Sequence, residues 1–136
     1  MIDQLPTTDQ ALIQAARGFP GAHCCDGEIH ACVQQVATEA AQSQADAGRC
    51  YHFDLDGRYQ RLWAEFGMSA HLNEIAASGH ILRTDTPEEA AEEMFRSWNL
   101  SPGHWAVASR KHTWYGAAMR QGANGVFYGA ITVVDL

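Results

Sequence analysis

The stretch TWYGAAMRQGANGVFYGAITVV, residues 113–134, carries the clearest secondary-structure signal in this chain. Residues 113–120 predict one strand, and residues 126–134, rich in β-branched and aromatic side chains, predict a second. The Gly122-Ala-Asn-Gly125 stretch between them is typical of a hairpin turn. The sequence therefore predicts that the chain ends in an antiparallel β-hairpin.

A helix with a well-defined start precedes this hairpin. Thr86 can cap the helix, Pro87 suits the first helical position, and Glu89 completes a capping box with Thr86. The apolar residues that follow share one helix face. They are Ala91, Met94, Phe95 and Trp98. Their spacing predicts a helix that packs this face into the core.

Three earlier helices are predicted, over residues 8–17, 26–47 and 57–66, and residues 70–77 form a short segment that is ambiguous between strand and helix. The order is helices, a strand, a helix and a closing hairpin. It indicates a single domain over residues 1–136 of the α+β type. We expect a three-layer α-β-α sandwich around a small mixed, largely antiparallel sheet.

Composition narrows the class of protein further. The 136 residues are 46% hydrophobic and 18% charged, a balance that suits a globular core. A net charge of −7 without a basic stripe argues against binding to nucleic acid. No apolar run is long enough to span a membrane, and residues 1–17 do not resemble a signal peptide. A signal was therefore removed, or the protein does not use the usual export route.

Four cysteines leave the redox chemistry open between one or two disulfides and reduced thiols. They are Cys24, Cys25, Cys32 and Cys50. Zinc is an alternative, because His23 and His30 are close in sequence. The spacing contains no CxxC pair, which makes the zinc alternative the weaker one.

Two stretches near the C-terminus resemble a known family. The segment WNLSPGHW, residues 98–105, resembles the bacterial signature of the CAP superfamily, named for cysteine-rich secretory proteins, antigen 5 and pathogenesis-related 1 proteins. The segments HTWYG, residues 112–116, and NGVFYG, residues 124–129, resemble the strand and the final hairpin that follow it. His52 and the stretch Asn73-Glu74-Ile75-Ala76 resemble earlier family positions, so the resemblance covers residues 8–136.

The resemblance implies a cleft lined by His52, Glu74 and His104, with Ser101 beside them. Many eukaryotic members carry a second Glu just after the Trp, and here residues 99–101 are Asn, Leu and Ser. Two imidazoles and a carboxylate can bind a divalent cation such as zinc and leave one position open for water. The implied metal ligands are His52, His104 and Glu74, and zinc is the one cofactor this implies.

A metal-free arrangement is the alternative, in which Glu74 orients one imidazole as a general base. His71 competes with His52 as the partner of Glu74, because it lies near Glu74 in the sequence. His71 is expected on the surface or in a turn, as are the remaining histidines, His23, His30, His80 and His112. The sequence shows neither a Gly-x-Ser-x-Gly nor a His-Glu-x-x-His motif, which argues against a hydrolase.

Three functions remain open at this point. The resemblance favours a non-catalytic binding domain for a cation, a small ligand or a protein partner, in an extracellular or periplasmic location. A structural subunit of an extracellular or phage particle is the second, with Trp105, Trp114 and Tyr115 as contact residues if exposed. A metal-dependent or general-base hydrolase is the third. The absent signal peptide keeps a phage particle or the cytoplasm open as locations, and an oligomer is compatible with each function.

Overall fold

The computed structural model describes residues 2–79 and 86–136, in which one mixed sheet forms the centre. Its strands are β1 (Glu28–Ile29), β2 (His71–Gly79), β3 (Trp114–Gln121) and β4 (Phe127–Asp135), in the spatial order β1-β3-β4-β2. The short β1 runs parallel to β3, and the other two pairings are antiparallel. The predicted α+β fold with a mixed, largely antiparallel sheet is confirmed.

Helices cover both faces of this sheet. They are α1 (Thr7–Gly18), α2 (Ala31–Ala47), α3 (Leu55–Phe66), α4 (Pro87–Asn99) and α5 (Pro102–Ala108), and a short 3-10 turn (Ile2–Gln4) precedes them. The helices α1, α4 and α5 pack in one apolar cluster, and α2 and α3 pack in another. The expected three-layer sandwich is therefore present. In residues 2–79 and 86–136, no helix has the length and apolar character needed to cross a membrane.

The two faces of the sheet follow from side-chain alternation along each strand. Ile75, Ile131 and Val133 point into the larger cluster beneath α1 and α4. Val134, the neighbour of Val133, points into the smaller cluster beneath α2 and α3. Gly116 lets α2 approach β3 closely, because a Cβ there would lie 2.5 Å from the carbonyl oxygen of Val33.

The start of α2 differs from the prediction. We expected a helix from residue 26, but residues Glu28–Ile29 pair with Trp114 and Tyr115, and the helix begins at Ala31. His30 ends the strand and caps the helix, since its Nδ1 accepts from the Cys32 amide at 3.1 Å. Tertiary pairing with β3 thus replaces the first turn and a half of the predicted helix.

Four other parts of the chain can be compared with their predictions. The capping box of α4 forms as predicted, with the Glu89 amide donating to Thr86 Oγ1 at 3.2 Å. The ambiguous segment at residues 70–77 is the nine-residue strand β2. The short helix α5 was not predicted, although Pro102 occupies its first turn. The final hairpin is confirmed.

Side chains, rather than a further strand, cover most of the outer edge of β3. The Gln34 amide donates to the Ala117 carbonyl at 2.8 Å and accepts from the Ala117 amide at 2.9 Å. The Asp9 carboxylate accepts from the Met119 amide at 2.9 Å. The guanidinium of Arg120 donates to the Met119 carbonyl at 2.9 Å. The backbone beyond β1 is thus satisfied by side chains from α1, α2 and β3 itself.

Candidate functional site

Glu74 lies on β2 and points towards the α2 and α3 side of the sheet. Its neighbour Ile75 belongs to the cluster beneath α4, so strand alternation sends Glu74 the other way. The Glu74 side chain is only 1% exposed. A buried carboxylate needs several donors to remain charged.

Arg58 provides the largest part of that compensation. It lies in the first turn of α3, its side chain is 2% exposed, and its guanidinium pairs with both carboxylate oxygens of Glu74. The same guanidinium donates to the Phe53 carbonyl through Nε at 3.0 Å and Nη2 at 2.7 Å. Arg58 therefore ties the loop before α3 to the sheet as well as neutralising Glu74.

Sequence reasoning missed Arg58, although a signal was present. Arg58 lies four residues before Leu62, which is fully buried, and so shares the inward face of α3. An arginine within an apolar helical stripe needs a buried acidic partner. Glu74 is the acid that this position should have suggested.

His52 completes the group. Its Nδ1 lies 2.7 Å from Glu74 Oε2, and its side chain is 40% exposed. An ionised carboxylate only accepts hydrogen bonds, so we assign the proton to Nδ1. Nε2 then carries a lone pair, and no hydrogen-bond partner for it is found in residues 2–79 and 86–136. The prediction that His52 and Glu74 lie together therefore agrees with the structure, and His71 is not the partner.

The electrostatics of the group follow from these contacts. Burial by itself raises the pKa of the Glu74 carboxyl, but hydrogen bonds from His52 and Arg58 outweigh burial and hold that pKa below its ordinary value of 4.5. Burial and the negative charge of Glu74 raise the pKa of Tyr59 to about 12. Glu74 is thus ionised and Tyr59 is neutral near pH 7.

Aromatic side chains flank His52 in the loop between α2 and α3. Tyr51 and Phe53 contact each other edge to face, with ring centroids 5.1 Å apart. The guanidinium carbon of Arg49 lies 5.1 Å from each ring centroid. Tyr51 remains 55% exposed. The two chain neighbours of His52 therefore form an aromatic pair against the Arg49 guanidinium.

His104 and Ser101 form a separate pair at the start of α5. His104 Nδ1 lies 2.8 Å from Ser101 Oγ. The buried residues of α5 pack in the cluster on the other face of the sheet from the Glu74 side chain. The cleft expected to contain all four residues is thus divided into two pairs.

The structure does not bring the predicted zinc ligands His52, His104 and Glu74 together. No group of three or more His, Cys, Asp or Glu side chains suited to a metal ion occurs within the described ranges, where all three residues lie. The physical reason is twofold: Glu74 and His104 belong to opposite layers, and Arg58 already occupies the Glu74 carboxylate.

The cysteines are free thiols in this structure. Cys24 and Cys25 are fully buried, with their Sγ atoms 3.9 Å apart. His23 pairs with Asp26 at 2.7 Å, and His30 caps α2, so neither joins a cysteine zinc cluster among the described residues. Burial raises the pKa of the Cys25 thiol well above its ordinary value, which keeps the thiol protonated.

The other predicted positions have mixed outcomes. His112, expected at the surface or in a turn, is buried, where its ring nitrogens lie 2.8 Å from Asp135 Oδ2 and from the Val107 carbonyl oxygen. His71 is exposed as expected, and His80 lies outside the described residues. Tyr115 is fully buried and Trp105 and Trp114 are partly buried, so these aromatic residues are packing residues first.

Three surface grooves lie away from the His52 group. Their volumes are about 650, 430 and 510 Å³. The first runs past Arg17, Glu28 and Tyr115, and the others lie beside α1 with α4 and beside α2. None is lined by the four predicted site residues, so the expected deep cleft is not one of these grooves.

Comparison with known proteins finds no relative of this chain. No family model matches the chain, and neither a curated protein nor a solved structure is significantly similar to it.

Proposed function

We propose that this chain is a non-catalytic binding domain of the CAP type, whose ligand contacts the imidazole of His52. One observation carries the proposal: the buried Glu74 carboxylate is shared between a buried guanidinium and an imidazole that is 40% exposed. A purely structural ion pair between Arg58 and Glu74 needs no third, solvent-facing donor. The extracellular or periplasmic location implied by the resemblance belongs to the same proposal.

The chemistry of the imidazole selects the ligand class. Glu74 fixes the tautomer in which Nε2 is an acceptor facing outwards, in the way a buried carboxylate orients a binding histidine. Tyr51, the preceding residue in the chain, has an exposed ring that can offer a flat apolar contact. We therefore infer a small ligand with an N–H or O–H donor next to a flat ring.

The surroundings of His52 Nε2 favour binding over catalysis. A base that activates a protein nucleophile needs a hydroxyl or thiol side chain in hydrogen-bond reach of that nitrogen, and within the described part of the chain no side chain occupies that place. Ser101, the candidate hydroxyl, is instead hydrogen-bonded to His104.

The proposal is tested by side-chain NMR of the histidines during titration with phenol, an O–H donor on a flat ring. We expect His52 to show the Nδ1–H tautomer, and its Nε2 resonance to move on addition of phenol. The variant His52→Gln should lose this response in the backbone resonances of residues 49–53. The control His71→Gln, which changes an exposed histidine on the same strand as Glu74, should retain it.

The decisive contrary result is a His52 ring that samples both tautomers and does not respond to phenol. A response equal in wild type and His52→Gln would also contradict the proposal, because it would place phenol elsewhere.

A further inference from the structure

The groove of about 650 Å³ is lined in part by an arginine whose guanidinium is held in place from two sides. Arg17 lies in the last turn of α1, where a cation suits the partial negative charge of a helix C-terminus. Its Nε donates to the Cys25 carbonyl at 3.1 Å, and its Nη2 donates to the Tyr115 hydroxyl at 3.4 Å. The helix α1, the loop before β1 and the strand β3 therefore meet at this guanidinium.

Both partners of the Arg17 guanidinium are uncharged. One is a backbone carbonyl. The other is a hydroxyl that stays protonated near pH 7, because burial raises the pKa of Tyr115 to about 12. In residues 2–79 and 86–136, no carboxylate lies within ion-pair distance of Arg17. Arg17 therefore keeps its positive charge beside the groove, in a chain with a net charge of −7.

Arg58 shows how this chain completes such an arrangement with an acid. Its Nε and Nη2, which form the side edge of the guanidinium, donate to the Phe53 carbonyl. Its Nη1 and Nη2, which form the end edge, donate to the two oxygens of Glu74. Arg17 uses the same side edge for a backbone carbonyl and a hydroxyl. Its end edge offers the donors that Arg58 gives to Glu74, and no partner for its Nη1 is found within the described ranges.

The end edge of Arg17 suits a carboxylate. Its two N–H donors are parallel and lie in one plane, which matches the two oxygens of a carboxylate. The two hydrogen bonds on the side edge already hold the guanidinium, so a ligand does not have to order a mobile side chain when it binds. A carboxylate on Arg17 would therefore repeat the geometry of Glu74 on Arg58.

The other side chains of the groove select the rest of the ligand. Two acids line it, Glu28 and Asp3, and Glu28 is exposed. No ion pair of Glu28 is found within the part of the chain that the structure describes. These acids and the net charge of −7 repel a ligand with several negative charges and attract an ammonium group. The volume lies within the range of about 300 to 1,000 Å³ that is usual for small-molecule sites.

We propose that this groove binds a small zwitterion, a molecule with one carboxylate and one ammonium group. The carboxylate accepts from Nη1 and Nη2 of Arg17, and the ammonium group lies on the side of Glu28. Tyr115 is fully buried, so it holds the guanidinium and does not contact the ligand. None of the residues that line the groove belongs to the His52 group. The inference therefore goes beyond the proposed function and does not depend on it.

NMR titration of the isotope-labelled chain with three zwitterions tests the proposal. Glycine, γ-aminobutyrate and ε-aminocaproate differ in the distance between their two charges. We expect at least one of them to shift the Nε–H resonance of Arg17 and the backbone amides of residues 27–29. Acetate, butyrate and caproate are the matched compounds without the ammonium group. Each should bind about tenfold more weakly than its zwitterion, because it loses the attraction of Glu28 and carries a net negative charge.

Two variants separate the roles of the charges. Arg17→Lys keeps the positive charge but lacks the planar pair of donors, and it should weaken binding of the zwitterion by about tenfold or more. Arg110→Lys is the matched control, because Arg110 also binds a backbone carbonyl through Nε, that of Ala106 at 3.0 Å, and does not line the groove. It should bind like the wild type. Glu28→Gln should reduce the affinity for the zwitterion to that for the matching carboxylate.

Three results would overturn the proposal. The first is a wild type in which none of the three zwitterions shifts the Arg17 Nε–H resonance. The second is an affinity that is the same in Arg17→Lys and Arg110→Lys, because binding would then not depend on the end edge of Arg17. The third is a wild type that binds the simple carboxylates as tightly as the zwitterions, because Glu28 would then select nothing.

Discussion

Two carboxylates in this chain are buried beside a guanidinium, Asp9 near one edge of the sheet and Glu74 near the other. Both side chains are 1% exposed. Burial raises the pKa of Asp9, and the Met119 amide and Arg120 only partly offset it. The pKa of Glu74 is lowered despite burial, because the hydrogen bonds from His52 and Arg58 outweigh the effect of burial.

The difference separates a structural acid from a candidate binding acid. The partners of Asp9 cover the edge of β3, and the Arg120 side chain among them is 21% exposed. One partner of Glu74, the His52 imidazole, is partly open to solvent. The hydrogen bonds of Glu74 therefore include one from a group that can reach a ligand, whereas those of Asp9 serve to cover a backbone edge.

The largest expected effect comes from breaking the Glu74 pair. Arg58→Ala leaves a buried carboxylate with only His52 as a side-chain hydrogen-bond partner, and we expect a loss of about 3 to 5 kcal/mol in unfolding free energy. Urea denaturation measures this. The control is Arg61→Ala, which removes an exposed arginine of the same helix paired with Glu39 and should cost no more than about 1 kcal/mol. Equal losses in the two variants would show that Glu74 does not rely on Arg58.

A smaller effect is expected at Asp9. Asp9→Ala leaves the Met119 amide without an acceptor, which should cost about 1 to 3 kcal/mol. Asp9→Asn keeps an acceptor oxygen at the same place, so it should cost clearly less. Urea denaturation at neutral pH compares them. If the two variants are equally destabilised, the charge of Asp9 matters more than its acceptor role. The difference between Asp9 and Glu74 is then smaller than described here.

The smallest effect, and the sharpest test of the contrast, is the pH dependence of stability. Glu74 has a lowered pKa, so its contribution is present above 4.5 and is lost as pH falls towards the lowered value. Asp9 has a raised pKa, so its contribution is present below 3.8 and is lost as pH rises through the raised value. Glu74→Gln should therefore flatten the loss of stability in acid, and Asp9→Asn should steepen it. Thermal unfolding from pH 7 to pH 3 measures how steeply the stability of each variant falls in acid. If both substitutions change this slope in the same direction, the opposite pKa shifts of Glu74 and Asp9 are contradicted.

The fold was predictable where local chemistry and tertiary packing agree. Thr86, Pro87 and Glu89 fix the start of α4 locally, and the final hairpin has both turn and strand residues. The start of α2 was not predictable, because the pairing of Glu28 and Ile29 with β3 is a long-range contact that competes with helical periodicity. The helix α5 is too short for periodicity to indicate it.

The candidate site was predictable only in part, for a related reason. His52 and Glu74 were expected to be neighbours, and they are. Arg58 was missed, although it shares the inward face of α3 with the buried Leu62. His104 was included by the family resemblance, but the parity of Glu74 on β2 turns its side chain towards the other layer. A shift of one residue in strand register decides which face of the sheet a side chain reaches. The spacing between distant motifs does not specify that register.

The amide of Gln34, which stands in for a strand opposite Ala117, also limits where the chain can change in length. Gln34 follows the helix cap His30 by four residues, about one helical turn. One residue inserted or deleted between them would rotate Gln34 about the axis of α2 by about 100°. Gln34 would then lose both of its hydrogen bonds to the Ala117 backbone. Insertions are tolerated in exposed turns such as residues 122–125, but the segment from β1 to Gln34 behaves as a spacer of fixed length.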